Sequence, residues 1–179
     1  MKIDDSERLS FALMGPEDAQ LLFELDQDVE VMRYINGGKM TTMDDVYQVF
    51  LPRMAKYTDA SKGWGLWKVT TKEGNAFLGW VLVRPMDFFN ENTQWDNIEL
   101  GWRFKQQYWG KGYATEASRQ ISEALMQQTD IKKLSAIAVP ENKASINVMK
   151  KLGMHYLKTA LHKDPLGDLQ AVYYERDVD

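Results

Sequence analysis

The stretch Glu99 to Ala117, ELGWRFKQQYWGKGYATEA, constrains this chain most. It passes from an apolar strand-like run to a turn carrying Gly110 and Gly112, then into the first turns of an amphipathic helix. Such a passage leaves backbone N–H groups unpaired at a helix N-terminus, where the dipole is positive, and glycines let a bulky anion come close. Phosphate is the anion such a turn suits, although two glycines can also do no more than turn the chain. A P-loop requires G-x-x-x-x-G-K-[ST], whereas Lys111 lies between the glycines and is followed by Gly112. The dinucleotide fingerprint G-x-G-x-x-G meets Thr115 at its third glycine, and here it follows four strands instead of opening the fold. Triphosphate hydrolysis and dinucleotide binding both lose support.

The rest of the chain supplies the frame. Arg8 to Met14 reads as a strand, and Gly15-Pro16-Glu17-Asp18 as a turn into a helix with Ala19, Leu22, Phe23 and Leu25 on its apolar face. A short helix from Val29 to Tyr34 stops at Asn36-Gly37-Gly38. Thr42 is placed to cap the next helix, striped by Val46, Val49, Phe50 and Met54, which Pro52 should kink or split. Trp64–Thr71 and Ala76–Arg84 flank Lys72-Glu73-Gly74-Asn75 as a hairpin, Pro85 to Gln94 reads as a loop, and Asn97 to Phe104 as the fourth strand. After the glycine turn, Ala114, Ala117, Ile121, Ala124 and Leu125 form one helical face. Leu134 to Val139 is a strand buried on both faces, Asn142 caps a helix ending at Gly153, and Met154–Thr159 and Gln170–Glu175 are the last strands. The order is β-α-α-β-β-β-α-β-α-β-β, an α/β (α+β) domain on a mixed sheet with no linker, so residues 1–179 are expected to form a single domain.

Composition narrows the chemistry. No run approaches the roughly 18 apolar residues of a membrane span and the first residues lack a signal-peptide core, which gives the expectation of a soluble cytoplasmic protein without a membrane partner. The absence of cysteine excludes disulfides and thiolate nucleophiles, and two isolated histidines, His155 and His162, make a poor metal site, so no metal is expected. A net charge of −4 argues against nucleic acid as a direct partner and suits a cationic substrate.

Two blocks then carry a resemblance. Trp109-Gly110-Lys111-Gly112-Tyr113-Ala114-Thr115-Glu116 resembles motif A, R/Q-x-x-G-x-G/A, of the GNAT N-acetyltransferases, and Pro140 to Met154 resembles their E-N-x-A-S…K-L-G-F segment. With Ile98-Glu99-Leu100-Gly101-Trp102, these blocks are similar to the branch containing the ribosomal-protein alanine N-acetyltransferases. The resemblance implies a mostly antiparallel sheet of six to seven strands flanked by about four helices, with acetyl-CoA as cosubstrate. It implies that the amides of Gly110, Lys111, Gly112, Tyr113, Ala114 and Thr115 hold the pyrophosphate, and that a bulged strand near Phe104 pairs with the pantetheine arm and supplies the oxyanion donor. Trp109 occupies the Arg/Gln position, a departure; the register starting at Gln107 also fits the pattern, but the one starting at Trp109 puts Ala114-Thr115-Glu116 in the opening helical turn.

Acetyl transfer to an amine needs a neutral nucleophile, oxyanion stabilisation and a proton for the departing thiolate. The resemblance implies direct transfer in a ternary complex, and the lack of cysteine rules out an acetyl-cysteine intermediate. Glu99 is the candidate base, since partial burial tunes a carboxylate toward that work; a paired structural role is the alternative. The family's tyrosine acid falls on Met149 here, so Ser145 becomes the candidate donor to the sulfur. Asn142 is a candidate for the pantetheine amides or for a helix cap, and Lys111 and Lys150 for phosphates. Tyr34, Trp64, Trp80 and Phe88-Phe89 are candidate acceptor walls. The acceptor stays open among peptide N-termini, polyamines, aminoglycosides and amino acids. A homodimer is compatible with the resemblance, and a catalytically weak CoA-binding sensor or interaction module is the alternative function.

Overall fold

A computed structural model describes residues 1–128 and 130–178. Seven strands form one sheet: β1 (Leu9–Leu13), β2 (Gly65–Thr71), β3 (Phe77–Met86), β4 (Gln94–Phe104), β5 (Lys133–Ala138), β6 (His155–His162) and β7 (Leu169–Asp177), in spatial order β1-β2-β3-β4-β5-β7-β6. Every neighbouring pair is antiparallel except β4 and β5. The expected mixed, mostly antiparallel sheet is therefore present, with seven strands.

The helices are α1 (Ala19–Leu25), α2 (Val29–Asn36), α3 (Met43–Asp45), α4 (Leu51–Tyr57), α5 (Tyr113–Leu125) and α6 (Lys143–Lys151). α3 and α4 run on as one rod through a π turn at Val46–Phe50, so five rods stand where about four were expected, and the expected order lacked one helix between the first two strands. Thr42 starts this rod, the one it was expected to cap, with a capping box: its hydroxyl accepts from the Asp45 N–H at 3.0 Å and the Asp45 carboxylate from the Thr42 N–H at 2.9 Å. Pro52 does not split it. The π turn, in which the Leu51 N–H reaches back five residues to the Val46 carbonyl, loosens the hydrogen-bond ladder where proline has no N–H to give.

α5 and α6 cover one face of the sheet and α1 to α4 the other. Ala117, Ile121 and Leu125 of α5 are fully buried against Val81, Val83, Ile98 and Leu100, and each large aliphatic contributes about 1.5–3 kcal/mol. On the opposite face Leu22, Leu25, Met32 and Met54 pack with Leu66 and Phe77. Strand alternation then sends Glu99, lying between Ile98 and Leu100, to the α1–α4 face.

Two boundaries differ from expectation in a way that matters for function. β3 runs through Pro85 to Met86 and β4 starts at Gln94, so the expected loop shrinks. Pro85 pairs with Ile98, after which the register shifts and Met86 meets Gln94, a bulge that tolerates the missing donor. The bulge expected near Phe104 is not there: pairing is regular from Gly79–Phe104 to Pro85–Ile98.

Candidate active site

β4 and β5 are paired only from Asn97–Lys133 to Glu99–Ser135, yet β4 continues to Phe104 and β5 to Ala138. The two strands diverge, and the direction of their backbone groups follows from parity. The Asp96 carbonyl accepts from Lys132 on the β5 side, whereas the Lys105 N–H donates to Leu78 on the β3 side. Even-numbered residues of β4 therefore aim at β5, so Trp102 and Phe104 turn their peptide groups into the gap. Ile137 lines the other lip, because the Val178 N–H donates to Lys132 and so places even residues of β5 toward β7. A slot edged by open backbone donors and acceptors can take an amide-bearing extended chain as an added strand. The Phe104 carbonyl is occupied by the Trp109 indole N–H at 2.8 Å, which leaves the Phe104 N–H as the group facing the gap.

Because β4 and β5 are parallel, the helices that follow them, α5 and α6, begin at the same open end. Gly112 is the N-cap of α5 at φ +78°, Gly110 is also left-handed at +72°, and no side chain caps the helix. The first intrahelical bond runs from the Glu116 N–H to the Gly112 carbonyl, so the N–H groups of Tyr113, Ala114 and Thr115 precede the ladder. Ala114, Thr115 and Glu116 thus lie in the opening turn of the helix. Lys111 is exposed between the glycines, with its ammonium 5.9 Å from the Tyr108 ring centre.

Arg8, just before β1, reaches this turn. Its Nε donates to Glu116 Oε2 at 2.6 Å, its Nη1 to the Lys111 carbonyl at 3.0 Å and its backbone N–H to Glu116 Oε1 at 2.9 Å; its guanidinium lies 4.3 Å from the Tyr113 ring centre. Burial pushes the Glu116 carboxyl upward, but hydrogen bonds from the Ser6 hydroxyl and from Arg8 outweigh it and hold the group below its usual range. A carboxylate with a lowered folded pKa contributes stability in full above the unfolded value of about 4.5 and loses it as pH falls through the folded value. Glu116→Gln should therefore lower the thermal midpoint by about 1–3 °C at neutral pH. In a melting series on both proteins, that gap should close under acid; a gap constant with pH would remove the ion pair from the account.

At the start of α6, Asn142 Oδ1 accepts from the Ser145 N–H at 3.2 Å, so the cap is real and the amide Nδ2 is left for another partner. The Ser145 hydroxyl sits in the same first turn with no hydrogen-bond partner among the described residues. Lys150 does not join this group. It is exposed in the last turn, about 12 Å along the helix from Asn142 at 1.5 Å per residue.

Glu99 stands at the last β4–β5 pair, where the slot opens. It is 5% exposed and accepts from Arg84 Nε at 2.8 Å across the β3–β4 ladder; Arg84 is 8% exposed and lies over Tyr57 and Phe89. Glu99 is thus a buried, ion-paired carboxylate, the structural alternative stated for it, and it borders a cleft lined by Asp87, Phe88, Phe89, His162 and Asp164. That cleft has about 10 Å³ of internal room, about one water. A larger cavity of about 510 Å³ lies under residues 1–5 against Phe11, Leu13 and Trp67, away from every group discussed above.

Sequence reasoning gave no part in acetyl transfer to Arg84, Asp87 and His162, which line the cleft, or to Tyr173 beside His162. Arg84 was read only as the end of a strand. Asp87, a non-glycine residue at φ +58°, accepts from the neutral amides of Asn90 at 3.4 Å and Gln94 at 2.8 Å. His162 Nδ1 and the Tyr173 hydroxyl are 2.9 Å apart. Burial, then the charges of Asp87 and Glu99, push the Tyr173 phenol up to about 12. Among the expected acceptor walls, Phe88 and Phe89 line the cleft, and Trp80 lies under Arg103 on the same face. Tyr34 is exposed on α2, while Trp64 belongs to the core of the α5 side and stacks on Trp95.

Comparison with known proteins agrees with this architecture. Residues 8–155 match the acetyltransferase (GNAT) domain family. The chain is 32% identical to the uncharacterized protein YkkB of Bacillus subtilis, over 86% of both chains. It is 29% identical to the FsC-acetyl coenzyme A-N(2)-transacetylase of Aspergillus fumigatus, over 87% of this chain and 66% of that protein. A solved GNAT-family acetyltransferase from Bacillus anthracis superposes with a TM-score of 0.73 at 26% identity, covering 99% of this chain and 98% of the other. No helix among the described residues is long and apolar enough to cross a membrane.

Proposed function

Since this chain belongs to the acetyltransferase (GNAT) family and is an acetyl-CoA-dependent acyltransferase, we propose that it moves the acetyl group directly to a primary amine in a ternary complex. The observation that carries the reading is the diverging β4–β5 slot with two helix N-termini at its open end. The pantetheine arm lies along Trp102 and Phe104, the pyrophosphate on the N–H groups from Gly112 to Thr115, and the thioester near Glu99. The bound acetyl-CoA supplies the activated acyl group; everything else is work for side chains and amides of this chain.

The Trp102 N–H, the first on the slot side of β4 beyond the last β4–β5 pair, stabilises the developing oxyanion, and Glu99 receives the amine proton. Glu99 Oε2 is taken by the Arg84 guanidinium, so the proton goes to Oε1 or arrives through a water. Ser145 donates a hydrogen bond to the departing thiolate. Asn142 Nδ2 remains for a pantetheine carbonyl. Asp87, whose carboxylate meets neutral amides alone among the described residues, gives the cleft a negative charge suited to an acceptor held as an ammonium ion before it loses its proton.

The acceptor is a protein N-terminus or a small-molecule amine. A thiol-release assay with acetyl-CoA against peptide N-termini, spermidine, kanamycin and free amino acids tests this, and at least one class should give turnover well above hydrolysis. CoA binding with no thiol release across the whole panel would replace the reading with that of a CoA-binding sensor.

A further inference from the structure

We propose that Arg8 is a positioning residue for the anion turn, fixing the Lys111–Gly112 peptide and cancelling the charge of Glu116 so that the start of α5 can receive the CoA pyrophosphate. The proposal rests on the acetyl-CoA reading given above. The residue before the first glycine, where the family pattern has Arg or Gln, is Trp109, and its indole N–H is already bonded to the Phe104 carbonyl. No cation therefore comes from that position.

Meanwhile Glu116 puts a carboxylate in the first turn of α5, beside the N–H groups that must meet an anion. Left alone, that charge would weaken the site. Arg8 addresses it with a fork: Nε and the backbone N–H hold both carboxylate oxygens, while Nη1 reaches the Lys111 carbonyl. A trans peptide is planar and its C=O and N–H point in opposite directions. Drawing the Lys111 carbonyl toward Arg8 therefore turns the Gly112 N–H to the far side of the turn, away from the guanidinium. The Tyr113 ring supports the guanidinium from below, at 4.3 Å to its centre. Gly112 itself is required by its left-handed φ of +78°, since a Cβ there would meet Arg8 Nη2 only at ordinary contact distance.

The test needs no acceptor. Calorimetric titration with CoA and NMR titration with pantetheine, which lacks the pyrophosphate, are run on the purified wild type, Arg8→Ala, Arg8→Lys and the double variant Arg8→Ala/Glu116→Gln, with melting curves alongside. Arg8→Ala should weaken CoA about tenfold and leave pantetheine unchanged. Arg8→Lys, which keeps the charge and loses the fork, should recover less than half of that factor. The double variant should bind CoA better than Arg8→Ala, because the uncompensated carboxylate is gone. Equal CoA affinity in wild type and Arg8→Ala, or equal loss for CoA and pantetheine, overturns the role of Arg8 while leaving the acetyl-CoA reading intact. A wild type that binds no CoA overturns both.

Discussion

Glu99→Gln is expected to lower turnover about a hundredfold while CoA affinity stays within about twofold, in the range for loss of a general base. The side chain stands at the last residue pair before β4 and β5 part, and it lines the small cleft formed with Asp87, Phe88, Phe89 and His162. Its partner complicates the experiment. Arg84 and Glu99 are both nearly fully buried, and removing one member of a buried pair costs about 3–5 kcal/mol because the other charge is left uncompensated. The glutamine variant should therefore also melt lower. Arg84→Gln separates the two effects: it breaks the same pair and destabilises by a similar amount, but it leaves the carboxylate in place. If Glu99 is the base, Arg84→Gln retains much of the turnover and shifts its pH profile, whereas Glu99→Gln stays low at every pH. Equal residual turnover in the two variants, normalised to folded protein, would make the pair purely structural and move the search for a base to Asp87.

What the sequence made legible was local. The Thr42 cap, the stripe of Ala117, Ile121 and Leu125, and the strand–glycine–helix passage each depend on residues a few positions apart, and each stands where expected. The chemistry of the site depends on residues far apart in the chain. Arg8 meets Glu116 across 108 positions, and nothing in the spacing of either predicts the pair. Arg84 meets Glu99 only because β3 and β4 keep a regular register through Pro85, and that proline suggested the strand had already ended. The slot itself comes from two strands parting, which leaves no periodic trace. Trp109 illustrates both levels. It stands where the family pattern asks for a polar side chain, and only the fold shows its indole closing the end of β4 through the Phe104 carbonyl.

The same strand end makes Gly79 the most sensitive backbone position near the slot. Gly79 lies in β3 opposite Phe104, at φ +157°, next to the register shift between Val69 and Thr70 of β2. A Cβ there would stand 2.1 Å from the Arg103 carbonyl oxygen and 2.7 Å from the Phe104 Cα, both backbone atoms that cannot rotate away. Gly79→Ala must push the end of β4 outward, and overpacking of this kind costs about 2–4 kcal/mol, a fall in melting midpoint of about 5–12 °C for a chain of this size. Gly101→Ala is the control. Its Cβ would meet only the Leu82 side chain at 3.4 Å, which can yield, so its cost should stay below about 1 kcal/mol. CoA binding carries the argument from packing to function, because the displaced segment includes the Phe104 N–H that faces the slot. Gly79→Ala should lose CoA affinity at temperatures where it is still fully folded, and Gly101→Ala should not. If urea denaturation finds the two variants equally stable, β4 yields there without cost and its end is not the rigid lip that pairing with the pantetheine arm requires.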